Sequence, residues 1–202
     1  MSEQAPEEIN QSKMIYLTSK EGSTKAIVPD FTAPNVKNVD FRFLRSQFGV
    51  RFALIDVDKT LTAVAGNEII DPEAAQYLLG LQKEGVLDGI YLATGSGRNL
   101  SSIERALNAK VLRSKSDAKK PDPEYFREIV ETIGCKPSEA VMVGDRLIHD
   151  IKGAKTAGLR TVLVDPIAKG WIKGWVPRDF LRTYWIEKKA QKALRRELKS
   201  RK

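Results

Sequence analysis

From position 51 onward the chain alternates short apolar runs with longer stretches whose apolar residues recur at helical spacing. The runs at 52–55 (FALI), 89–94 (GIYLAT), 110–114 (KVLRS), 140–145 (AVMVGD) and 160–166 (RTVLVDP) have strand length and end in turn residues. The stretches between them predict helices. The first has Asp71 as N-cap, Pro72 as first helical residue and Gly85 as terminator. A second covers 100–107. A third repeats the cap, Pro and Gly signals at Asp122, Pro123 and Gly134, and a fourth runs over 147–157 and closes at Gly158. Strands alternating with helices imply parallel neighbours joined by helical crossovers. The expected fold class is α/β: a Rossmann-like, three-layer α/β/α domain with a mostly parallel sheet. In such sheets ligands bind beyond the carboxyl ends of the strands, so the residues that follow each run are the candidates for function.

Composition sharpens this picture at the two ends of the chain. The 202 residues, 42% hydrophobic and 30% charged, suit one ordinary globular core. No stretch approaches the roughly 20 apolar residues of a membrane span, and the first residues lack the pattern of a leader, so a cytoplasmic chain is expected. Cys135, the single cysteine, reads as a packing residue. Residues 1–12 are polar and acidic and are expected to be disordered, residues 13–168 to form the domain, and residues 169–202 to form a separate basic tail. That tail carries 12 of the 34 Lys and Arg, 3 of the 26 acidic residues and all three tryptophans, so it holds the net positive charge while the rest is nearly neutral.

Four loop elements then carry the polar chemistry: Asp56-Val57-Asp58-Lys59-Thr60, Thr94-Gly95, Lys120-Pro121, and Gly144-Asp145 with Asp150 five residues on. Crowded carboxylates repel one another and persist where a cation or a reacting group uses them. Several carboxylates and a lysine at one sheet edge suit phosphoryl transfer, in which Mg²⁺ and a cation neutralise the phosphate while a carboxylate attacks. Magnesium takes oxygen ligands and keeps waters, so two or three carboxylates suffice. Taken alone, Asp56 reads as turn chemistry and Asp145 as a helix cap; only their combination points to catalysis. His149, the one histidine, reads as a structural residue on a helix flank. The stretch GSGR at 95–98 lacks the spacing of a P-loop and reads as the turn opening the next helix, with Arg98 and Asn99 as the candidates to face a substrate.

In order and residue type, DVDKT, LATG, KKP and GDRLIHD resemble the four motifs of the haloacid dehalogenase superfamily of phosphohydrolases, over about residues 51–165. The resemblance implies that Asp56 is a nucleophile forming an aspartyl-phosphate and that Asp58 is the general acid and then the base. It implies that Thr94 and Gly95 hold the phosphoryl oxygens and that Lys120, which fits better than Lys119 because it directly precedes Pro121, balances the charge. Mg²⁺ would be bound by Asp56, Asp145 and the backbone carbonyl of Asp58, with Thr60 and Asp150 supporting the site from behind. Thr94 lies 38 residues after Asp56, and Lys120 lies 26 after Thr94. One helix and its loops consume each interval, so no separate cap domain is expected and bulky substrates have access.

Short, uncapped and basic at the C-terminus, the chain resembles the phosphatidylglycerophosphate phosphatases, and its segment 38–61 (NVDFRFLRSQFGVRFALIDVDKTL) is similar to their lead-in. Lys59 departs from the Asn usual in that branch, and Thr94-Gly95 from its Ser-Asn. The implied substrate is a lipid phosphate, and the tail would touch an anionic membrane. Nucleic-acid ends or small phosphomonoesters are the rival substrates, and an RNA- or membrane-binding module without turnover is the rival class. For the tail itself, the alternative is a first half packing its aromatics on the domain and a second half forming a solvated basic helix.

Overall fold

The computed structural model describes residues 14–16, 28–63, 69–95, 97–167, 188–194 and 196. Its seven-stranded sheet has the order β1-β2-β7-β6-β3-β4-β5. The strands are β1 (Ile15–Tyr16), β2 (Phe31–Ala33), β3 (Phe52–Ile55), β4 (Gly89–Leu92), β5 (Lys110–Val111), β6 (Ala140–Gly144) and β7 (Arg160–Val164). All pair in parallel except β1, which lies antiparallel to β2 at the edge. Five helices accompany them among the described residues: α1 (Phe41–Phe48), α2 (Pro72–Lys83), α3 (Ser101–Leu107), α4 (Pro123–Ile133) and α5 (Gly153–Thr156).

The strands are buried on both faces, and their pleat sorts neighbouring residues into two cores. Ala53, Ile55, Val141 and Val143 face Phe41, Leu44, Leu78, Leu81 and Ile103 of α1 to α3. Leu54, Ala140 and Met142 point the other way, onto Phe126, Ile129 and Val130 of α4 and Ala154 of α5. The three-layer α/β/α expectation is therefore met.

The helix boundaries follow the local signals. The Asp71 carboxylate accepts from Glu73 N at 3.0 Å and that of Asp122 from Glu124 N at 2.9 Å, each satisfying an amide that the first turn leaves unpaired. Gly134 ends α4 at φ 78°, in the left-handed region.

Four expectations are corrected. The elements before residue 51, namely β1, β2 and α1, have no counterpart in the periodicity. Strand β2 is three residues long and is secured by the Asp30 carboxylate, which accepts from Thr161 N (3.0 Å), Thr161 Oγ1 (2.9 Å) and Lys155 Nζ (2.8 Å). The 110–114 strand shrinks to Lys110–Val111. The helix expected over 147–157 divides into a π-helical turn, Leu147–Lys152, and the short α5. The described part of the tail's second half is helical over 188–194, yet it is not fully solvated: Leu194 is only 3% exposed and packs with Val28, Leu147 and Ile151. The expected disorder of 1–12 and the packing of tail residues 169–187 fall outside the described residues. Among the described residues no helix is long and apolar enough to cross a membrane.

Candidate active site

Strand β3 continues past Ile55 through Asp56, whose N–H donates to Val143 O of β6 at 2.9 Å. That bond fixes Asp56 at the carboxyl edge of the sheet, beside the end of β6. The chain then turns sharply, with Lys59 at φ 67°, and folds back so that Leu61 N and Thr62 N donate to Val57 O at 3.0 and 3.1 Å. Isolated pairings of Thr62 with Asp58 and Ile70 close this turn before α2 begins.

Asp145 follows β6, and Asp150 sits in the π-helical turn. The Asp150 side chain bends back, with Oδ2 accepting from Arg146 N at 3.0 Å and Oδ1 from Lys120 Nζ at 2.7 Å. Gly144 makes room for it, since a Cβ there would stand 2.4 Å from Asp150 Oδ2. Gly153 serves the opposite side, since its Cβ would meet Pro121 O at 2.3 Å. Two positions without side chains thus let the loop bearing Lys120 press against the turn bearing Asp150. The wide turn is a device seen at functional sites, where an α-helix would aim the side chain elsewhere.

Lys120 Nζ is the centre of the cluster, donating to Asp56 Oδ1 at 2.5 Å and to Asp150 Oδ1 at 2.7 Å. Burial by itself would lower the pKa of its ammonium, but the carboxylates of Asp150 and Asp56 prevail and raise it. Asp56 is pushed up to about 6, first by burial and then by Asp150, while Lys120 pulls it down. Asp145 is pushed up to about 8 by burial, then by Asp150 and Asp56. Its buried Oδ1 has no hydrogen-bond partner among the described residues.

Asp56, Asp145 and Asp150 can each place a carboxylate oxygen within 4.8 Å of the others. Asp56 and Asp150 share Lys120, the three acidic residues and the lysine side chain are buried, and Asp145 Oδ1 lacks a partner among the described residues. This donor set fits a hard dication with oxygen ligands, Mg²⁺ foremost. A bound dication would remove the penalty that drives the Asp145 value upward.

The other expected residues divide into two groups. Thr94 is buried at the end of β4, and Thr60 is buried with a hydroxyl that finds no partner among the described residues. Gly95 is exposed. The Asp58 carboxylate is not in the acidic cluster; its Oδ1 accepts from Arg98 Nη2 at 2.7 Å. Lys119 is exposed, so the choice between the two lysines goes to Lys120. His149 is half-buried and held down at about 4, by burial first and then by Arg146. Sequence reasoning missed the Arg98–Asp58 pair, although Arg98 was a candidate to face substrate, because 40 positions separate the two. It also missed Tyr125 in the first turn of α4. That residue is 3% exposed, with an unpartnered hydroxyl pushed up to about 12 by burial and within the field of Lys120, Asp56 and Asp150.

A parallel α/β sheet with a carboxylate–lysine pocket at the carboxyl ends of adjacent strands is the kind of site that can hold a phosphoryl group together with a divalent cation. The comparisons agree. Residues 118–166 match the family described as HAD-hyrolase-like. A phospholysine phosphohistidine inorganic pyrophosphate phosphatase from Xenopus laevis is 38% identical over 101 residues, 45% of this chain and 36% of that one. A glyceraldehyde 3-phosphate phosphatase from Pyrococcus furiosus is 36% identical over 99 residues, 45% of this chain and 40% of that one. The chloroplastic phosphatidylglycerophosphate phosphatase 1 of Chlamydomonas reinhardtii is 28% identical over 173 residues, 82% of this chain and 63% of that one. The chain therefore spans between about a third and two thirds of the lengths of these relatives. Over residues 118–166 the chain is similar to the HAD-like hydrolases, and over the longer stretches it is similar to these phosphatases.

Proposed function

We propose that this protein is a Mg²⁺-dependent phosphomonoester hydrolase that works through an aspartyl-phosphate on Asp56. The observation that carries the reading is the bridge of Lys120 between Asp56 and Asp150 at 2.5 and 2.7 Å, beside a third buried carboxylate, Asp145, whose Oδ1 lacks a partner among the described residues. Asp56 and Asp145, with the backbone carbonyl of Asp58, would hold Mg²⁺, which would supply positive charge against the phosphoryl oxygens.

A free Oδ of Asp56 attacks phosphorus while the bond to the ester oxygen breaks, and Asp58 gives that leaving oxygen its proton. Asp58, now ionised, takes a proton from water as the water oxygen attacks phosphorus. The bond from phosphorus to Asp56 breaks, and inorganic phosphate leaves. Lys120 keeps Asp56 more acidic than burial would leave it, so the nucleophile is ionised near neutral pH. Asp150 holds the lysine in place, and the Thr94 hydroxyl with the Gly95 amide hydrogen-bonds the transferring group.

The substrate class we favour is an anionic lipid phosphate such as phosphatidylglycerophosphate. Support comes from the extent of the Chlamydomonas relative's alignment, which runs over 82% of this chain where the two more identical relatives reach 45%. The helical residues 188–194 add to it: Leu194 is buried while Lys189, Lys192 and the nearby Arg196 are exposed, a basic surface suited to an anionic bilayer.

Phosphate release from micellar phosphatidylglycerophosphate, glyceraldehyde 3-phosphate and an oligonucleotide 3′-phosphate, with and without Mg²⁺, tests this. Preference for the lipid is the expected result, and preference for either of the others reassigns the substrate. Tight binding to RNA or vesicles with no turnover of any would replace the enzyme reading by a binding module.

A further inference from the structure

The loops that build the acidic floor also bring cations to its rim: Lys59 after β3, Arg98 after β4, Arg113 after β5 and Arg146 after β6. Three of these charges reach buried groups of that floor. Lys59 and Arg146 both act electrostatically on Asp145, and Arg113 acts on Tyr125, which also feels Lys120, Asp56 and Asp150. Arg113 lies beside the loop of Arg98, its Nη2 donating to the backbone carbonyl oxygen of Arg98 at 3.3 Å. Arg98 Nη2 in turn donates to Asp58 Oδ1 at 2.7 Å, and these two side chains keep 21% and 33% of their surface exposed.

Lys120 and a dication would balance Asp56, Asp145 and Asp150, so the rim cations are the positive charge available to the anions of a substrate. Moreover, Arg98 holds one oxygen of the carboxylate that the phosphatase reading makes the proton donor to the leaving group. A guanidinium presents a planar fork that suits phosphate or carboxylate, so a second anion on the substrate competes directly with Asp58 for Arg98. We propose that Arg98, assisted by Arg113, is a specificity-determining subsite for a second anionic group on the alcohol side of the scissile phosphate, and that filling it draws Arg98 away from Asp58. The inference rests on the phosphatase reading above and deepens it. The substrate class becomes phosphomonoesters whose alcohol portion carries a further phosphodiester or carboxylate.

The test measures kcat and KM on three probes with Mg²⁺: glycerol 3-phosphate, which has no second anion; glycerophosphoglycerol phosphate, the water-soluble headgroup; and phosphatidylglycerophosphate in neutral detergent micelles. The intact protein is expected to prefer both phosphodiester-bearing probes. In Arg98→Gln the ratio of kcat/KM for the headgroup over glycerol 3-phosphate should fall about tenfold to a hundredfold, the worth of a hydrogen-bonded charge pair. The change should appear mainly in KM, with partial recovery in Arg98→Lys and a smaller fall in Arg113→Gln. Circular dichroism checks that each variant is folded. An unchanged ratio in Arg98→Gln overturns the subsite. Equal losses on all probes also overturn it, making Arg98 only a support for Asp58. A loss confined to the micellar lipid does the same, by placing Arg98 at the bilayer rather than at the anion. If the intact protein turns over none of the probes and traps no aspartyl-phosphate, the phosphatase reading itself fails, which is a different result from turnover that ignores Arg98.

Discussion

The two ends of the sheet each gather charged residues, and they do so in opposite ways. At the amino ends of β3, β4 and β6, Asp88 accepts from Arg45 Nη1 at 2.8 Å and from Arg51 Nε at 2.7 Å, and Glu139 lies 3.8 Å from Arg51. Two arginines face two carboxylates, all remain partly open to water, and Arg45 and Arg51 hold Asp88 below the usual carboxylate range. At the carboxyl ends, Asp56, Asp145 and Asp150 are buried together, only Asp56 and Asp150 touch Lys120, and Asp145 rises to about 8. The first cluster is neutral as it stands and serves the fold. The second is short of positive charge, which fits the proposed cation and phosphoryl group better than it fits a clamp.

That contrast can be broken by experiment. Asp56→Asn should leave the fold intact and lower turnover by roughly a thousandfold or more, since it removes the attacking group. Phosphate release together with circular dichroism measures this, and near-parental turnover would take the nucleophile role away from Asp56.

Lys120→Met strands two buried carboxylates and should cost about 3–5 kcal/mol in urea unfolding. At the other end, Asp88→Asn breaks an open ion pair and should cost about 1 kcal/mol or less. Similar losses for both would erase the distinction between the two ends.

The pH dependence offers a finer probe. Asp145 is raised from its ordinary 3.8 to about 8, so without metal the folded protein holds a proton there that the unfolded chain has already released. The stability of the metal-free protein should therefore fall as pH rises from about 4 to about 8 on account of this group, and the stabilisation by Mg²⁺ should grow over the same window. Thermal melts at several pH values, with Mg²⁺ and with a chelator, check the sign. A Mg²⁺ effect independent of pH would detach the metal from Asp145.

The helices most legible in the sequence are those whose ends are set by their own residues. Asp71 with Pro72, and Asp122 with Pro123 and Gly134, act within one or two turns, and α2 and α4 begin where those signals stand. The site motifs were legible for a related reason: each strand-end position is dictated by the run that precedes it. Strand β2 left no such trace, because its three residues are held by β7 and by the Asp30–Thr161 bonds 131 positions away. Helix α1 does carry a local cap, with the Asp40 carboxylate accepting from Phe43 N at 2.9 Å, yet it lies outside the alternating pattern that was followed.

By itself, then, the chain determined the alternation of strands and helices, the caps, and which polar residues would follow which strand. These depend on backbone preference, on burial period and on neighbours only a few residues apart. Tertiary structure alone decided that Lys120 bridges Asp56, 64 positions away, to Asp150, that Asp150 folds over Gly144 in a π-helical turn, and that Arg98 claims Asp58. Such pairings depend on where separate loops meet in space, and the charge a buried group can bear is settled only once its neighbours have excluded water.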